Sequence, residues 1–150
     1  MWTLSDDLVF NQLLEDRRNL ERLAGYPVRT VVFPCGRGGD DERLESIARR
    51  AGFRLARASH LKGVFAPPSN WLCWGTAGHV ADDLDALWSR FEAMPTRDKV
   101  FFWWGHSHEF EGKLGWERLE KFAERFSGPG WWHATNREIY DYVEAWRRLV

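Results

Sequence analysis

The stretch Lys99-Val-Phe-Phe-Trp-Trp-Gly-His-Ser-His-Glu-Phe110 decides how the chain is read. An apolar, aromatic run stops at Gly105, and His106, His108 and Glu109 follow at once. Such a run reads as a buried strand over roughly 99–104 whose C-terminal end delivers titratable side chains. In folds built from parallel strands and covering helices, chemistry collects at that end of the sheet. Side chains two apart on a strand share a face, so Trp104 and His106 are expected side by side.

On either side of this stretch, strand signals alternate with helix signals. A helix is expected over 6–24, with Ser5 as N-cap, an apolar stripe through Val9, Phe10, Leu13 and Leu14, and Gly25 as its stop. Arg29–Pro34 is β-branched and aromatic and reads as a strand. Helical spacing returns over 40–51, opened by acidic and closed by basic residues. Residues 53–58 alternate as a second strand. Residues 59–81 are irregular, and loops of that length are often functional. A helix then starts near Asp82 and ends at Met94-Pro95. Beyond the opening stretch come a helix around Trp116–Phe126, a short strand over 131–134, and a last helix begun by the capping-box pattern Thr135-Asn-Arg-Glu138. The order, α followed by βα four times, predicts α/β architecture in one domain over 1–150. The expected form is an incomplete (β/α) barrel with about four parallel strands and covering helices. Four strands cannot close such a barrel, so an open sheet edge is expected, covered by the first helix, by a second copy in a homodimer, or by another chain.

Composition narrows the function classes. The formal net charge of −1 and the lack of a basic run argue against nucleic acid as a partner. Two cysteines without CxxC spacing make neither a disulfide framework nor a structural zinc site. No secretory signal and no apolar run of about 18 residues is present, which predicts a cytoplasmic chain with no membrane partner. The chain holds 10 Trp, which either fill cores or wall sugar pockets. Gly36-Arg-Gly-Gly39 is a flexible loop, but it lacks the Lys-Ser/Thr pair of a phosphate loop.

The residues just after each expected strand share one rim: Cys35-Gly36-Arg37, Ser59-His60, Gly105-His106 and Thr135-Asn136. His106 leads as a general acid or base beside an aromatic wall. The other reading is a rim histidine bonded to a backbone carbonyl. His106, His108 and Glu109 are types that bind zinc, but they would need a third ligand from His60, His79 or a partner. His133 reads as structural, and Asp82 and Asp83 read as helix openers. Trp71, Trp74 and Trp104 could stack on sugar rings, and Asn136 stands on the same rim.

Four segments carry a family resemblance: Leu20–Arg29, Phe33-Pro-Cys-Gly36, Trp104-Gly-His-Ser-His-Glu-Phe110 and Ala134–Tyr142. Together they resemble the C-terminal part of bacterial polysaccharide deacetylases, metal-dependent carbohydrate esterases with a distorted (β/α) barrel. The resemblance implies a hydrolase that removes N- or O-acetyl groups from a glycan. It implies His106 as general acid toward the leaving amine and the backbone N–H at Cys35 as an oxyanion donor. Trp104, Trp74 and Asn136 would face the substrate. Cys35 stands in place of the usual aromatic residue, Val32 in place of an arginine, and His108 in place of a tyrosine. The family's base and metal are held by an early Asp-Asp motif after an apolar strand and by a His-x-x-x-His motif; here Asp6-Asp7, Asp40-Asp41 and Asp82-Asp83 all read as helix openers, and no His-x-x-x-His occurs. The chain is expected to start just after that region. It is also expected to be weak or inactive alone, with zinc or another divalent metal only if those motifs are supplied elsewhere.

Overall fold

The computed structural model describes residues 1, 3–36, 40–112 and 114–149, with the side chain of Cys35 also outside the described part. The Gly36–Gly39 loop thus lies outside it beyond Gly36. Contacts divide the chain into two compact units: Met1–Leu61 with Pro68–Gly75 and Asn136–Val150, and Lys62–Pro67 with Thr76–Thr135.

The first unit begins with α1, Asp6–Ala24, which follows the expected bounds. The Ser5 side chain accepts a hydrogen bond from the Leu8 N–H, and Gly25 ends the helix in the left-handed conformation at φ 74°. β1, Thr30–Val32, pairs in parallel with β2, Leu55–Arg57. Between them runs α2, Glu42–Arg50, capped by the Asp41 side chain on the Leu44 N–H. Val9 and Leu13 of α1 and Leu44, Ile47 and Ala48 of α2 bury their stripes in one cluster with Phe33, Phe53 and Leu72. Each large aliphatic side chain so buried contributes roughly 1.5–3 kcal/mol. The last helix, here α5, Asn136–Arg147, belongs to this unit. Its Glu144 accepts a 2.8 Å hydrogen bond from Trp71 Nε1.

The second unit holds β3, Gly78–His79, paired in parallel with β4, Trp103–Trp104. α3, Leu84–Ala93, follows β3 and is capped by Asp83; α4, Trp116–Phe126, follows β4. Its core is aromatic, with Phe65, Trp88 and Phe91 buried and Phe101 and Phe126 packed against them. Lys99 Nζ donates to the carbonyls of Phe91, Glu92 and Met94 at 2.8, 3.1 and 3.1 Å, holding the C-terminal end of α3.

The structure corrects the expected architecture at four points. The described strands form two separate two-stranded parallel sheets, β1-β2 and β3-β4, so the incomplete four-strand barrel is not the fold. Residues 131–134 are not a strand: the Trp131 ring turns to Trp88 and Phe91, each at 5.2 Å, and Trp132 and His133 are exposed. The segment gains ring contact in place of a backbone ladder. The run at 99–104 narrows to two strand residues, because Val100 N–H bonds singly to Phe65 O and Ala77 N–H to Phe102 O. The missed strand, Gly78–His79, lies in the stretch read as irregular. Two residues are too few to show alternation.

Candidate acid–base site

Gly105 makes the site possible. A Cβ there would lie 2.3 and 2.5 Å from the two Cγ atoms of Val80, so only glycine lets the end of β4 close against the end of β3. His79, the last residue of β3, and His106, two residues beyond β4, are thereby brought together. Their ring centroids lie 6.2 Å apart.

After His106 the chain makes a single 3₁₀ turn, Ser107–Glu109. In such a turn residues three apart nearly eclipse. Glu109 therefore folds back over His106, while the His108 ring stacks outside it at 5.2 Å. Glu109 Oε2 accepts the His106 backbone N–H and lies 3.0 Å from His106 Nδ1. A carboxylate only accepts, so this contact places the His106 proton on Nδ1. Nε2 is left with its lone pair on a side chain that is 55% exposed.

The other carboxylate oxygen, Oε1, lies 3.2 Å from His79 Nε2. His79 is better shielded, at 15% exposure, and packs edge-on against Trp104 with centroids 4.3 Å apart. Its Nδ1 accepts the Ala81 N–H at 3.2 Å, which puts the ring proton on Nε2. Its backbone N–H donates to Asp82 Oδ2 at 2.7 Å, and Lys62 Nζ grips both oxygens of Asp82 at 3.1 and 3.0 Å. Asp82 is thus more than a helix opener. It fixes the turn that carries His79, while the cap itself is Asp83.

Burial pushes the Glu109 carboxyl up. The backbone and ring N–H groups of His106 and the electrostatic pull of the two imidazoles outweigh it, and hold the group below the ordinary carboxylate range. Asp82 behaves alike: burial raises it, and the His79 N–H and Lys62 bring it below that range.

His79, His106 and Glu109 each offer a ligand atom, all within 4.8 Å of one another, a set that could surround a divalent ion. The hydrogen bonding is wired otherwise. A metal-bound imidazole turns its lone pair to the ion and donates its other N–H to an acceptor. His79 has the opposite arrangement, with Nδ1 accepting from Ala81. The chemistry of the cluster is that of two imidazoles sharing one carboxylate.

Of the sequence candidates, the structure brings His106, Trp104 and Glu109 together, with Trp104 edge-on to His106 at 5.7 Å. His79, one of several third partners considered, is the one that joins them. His60 lies in the first unit, its Nδ1 3.4 Å from Gly36 O. Cys35, Trp74 and Asn136 also belong to the first unit. The Cys35 backbone sits in the short 3₁₀ turn Pro34–Gly36. Asn136 is the first residue of α5 and is partly buried. Trp74 is 2% exposed and Trp71 7%, packed edge-to-face at 5.1 Å. Neither offers an open face to a sugar, because both rings serve the core of their unit.

The chain matches no family model, no curated protein and no solved structure. Among the described residues no helix is long and apolar enough to cross a membrane.

Proposed function

We propose that this chain is a hydrolase domain of the polysaccharide-deacetylase type, acting on N- or O-acetyl groups of a glycan through His106. One observation carries the reading: Glu109 Oε2 lies on His106 Nδ1 at 3.0 Å, so the outward Nε2 is the reactive nitrogen, with Trp104 beside it. The resemblance of the Trp104–Phe110 block supports the same role.

In the reaction, Nε2 takes a proton from a water as the water oxygen adds to the acetyl carbonyl carbon. When the tetrahedral intermediate collapses, the carbon–nitrogen or carbon–oxygen bond to the sugar breaks. The imidazolium returns its proton to the departing amine or alkoxide, leaving acetate. Glu109 keeps the ring oriented and stabilises its charged form. In the resembled family a divalent metal activates the water. The donors that hold it there are not in this sequence, and the wiring of His79 does not suit a metal at the cluster. A single imidazole then serves both proton transfers, and turnover by this chain alone is expected to be slow.

The test is acetate release from acetylated chitooligosaccharides, with and without zinc or cobalt. Slow release that is lost in His106→Ala and reduced in Glu109→Gln is expected. General acid–base groups of this kind contribute roughly 10²–10⁴-fold. Release that survives His106→Ala overturns the reading. So does no release together with tryptophan fluorescence unmoved by the glycans.

A further inference from the structure

We propose that His79 is the positioning residue of this site, holding Glu109 in place and, through Glu109, fixing His106 as the Nδ1–H tautomer. The inference rests on the reading of His106 as the acid–base group.

The two ends of the Glu109 carboxylate have different partners. Oε2 serves His106, through the backbone N–H and the ring. Oε1 faces His79 Nε2 at 3.2 Å. Glu109 ends, and His106 immediately precedes, the one-turn 3₁₀ segment Ser107–Glu109, whose residues are not buried. A glutamate there has several side-chain torsions to sample, and the contacts within the turn hold only one of its two carboxylate oxygens, Oε2. His79 supplies a reference from outside the turn.

His79 is suited to that task because it is itself held at three points. Its N–H is bonded to Asp82, its Nδ1 receives the Ala81 N–H, and its ring lies against Trp104. The residue before it is locked as well: a Cβ on Gly78 would lie 2.5 Å from Leu87 Cδ1 and 3.0 Å from Asp82 Oδ2. With Nδ1 already occupied, the ring proton sits on Nε2, which lies 3.2 Å from Glu109 Oε1. A shielded imidazole whose tautomer is set by backbone can set the tautomer of an exposed one, with a carboxylate as the link.

Histidine ring ¹⁵N shifts of the whole chain, recorded above the ordinary imidazole range, test this directly. The wild-type His106 is expected as the Nδ1–H form and His79 as the Nε2–H form. His79→Phe keeps a ring against Trp104 and removes the N–H. It should turn His106 into a mixture of tautomers, with kcat lowered roughly tenfold and KM within about twofold. His79→Gln, which restores an N–H donor, should recover much of the wild-type pattern. Glu109→Gln should release His106 in the same way while His79 keeps its form. A His106 tautomer unchanged by His79→Phe overturns the proposal. If that variant does not fold, an unchanged His106 in Glu109→Gln does so. Should His106→Ala leave acetate release intact while the tautomer changes occur as described, the reaction fails and the positioning role stands.

Discussion

Gly105 and Val80 meet so closely that no side chain fits between them. A Cβ on Gly105 would fall 2.9 Å from Val80 Cβ and nearer still to both of its methyl carbons. The approach sets the spacing of the ends of β3 and β4, and with it the distance from His79 to Glu109. Gly105→Ala is expected to cost about 1–3 kcal/mol, as overpacking does, and to change the His106 ring ¹⁵N shifts. Val80→Ala removes both methyl carbons and should recover part of that loss in the double variant. Urea unfolding of the four chains of this cycle measures the coupling, and strictly additive losses would contradict the contact.

Asp82 links the turn to pH. Its carboxyl is held below its unfolded value, so it stabilises the folded state above the ordinary carboxylate range. That contribution is lost as pH falls through the lower, folded-state value. Glu109 follows the same sign. The difference in melting temperature between the wild type and Asp82→Asn should therefore be largest near neutrality and shrink toward zero in acid, below about pH 4. A difference that is constant with pH would show that the charge on Asp82 does not hold the turn.

Lys99 ends α3 from outside the helix. Its ammonium donates to three carbonyls and also lies 4.8 Å from the centre of the Phe91 ring. Lys99→Met keeps most of the chain volume and leaves those carbonyls without the donor. A loss of about 1–3 kcal/mol is expected, as for hydrogen bonds to charged groups. Denaturant unfolding followed by near-ultraviolet circular dichroism reports it through the Trp88 cluster.

Trp71 ties α5 into the first unit. The Trp71 N–H is the leading reason that the Glu144 carboxyl stays low, with burial opposing and Arg147 adding to the effect. Trp71→Phe preserves the ring contact with Trp74 and Tyr140 and removes the N–H. It should cost about 1–2 kcal/mol and raise amide exchange along α5 more than along α1. Equal exchange in the two helices would argue against the tie.

The helices were legible because their signals are local. Ser5, Asp41 and Asp83 each cap within three residues, and the stripe Leu44, Ile47, Ala48 follows from 3.6-residue spacing alone. His106 and Trp104 were legible for the same reason, as neighbours at the end of one apolar run. Glu109 was legible as a nearby carboxylate, though its pairing with His106 needed the 3₁₀ turn.

What the sequence determined by itself was the set of helices and the place where titratable groups cluster. The tertiary structure decided the rest. Strands of two or three residues carry no readable alternation, so the sequence overstates the sheet and does not show Gly78–His79. Burial turned Trp71 and Trp74 from sugar-facing surfaces into core. His79 reached Glu109 only because β3 lies beside β4 and Gly105 admits Val80. That contact spans 30 residues of chain between His79 and Glu109. No local preference encodes it: it exists only where the packing of two strand ends brings it about.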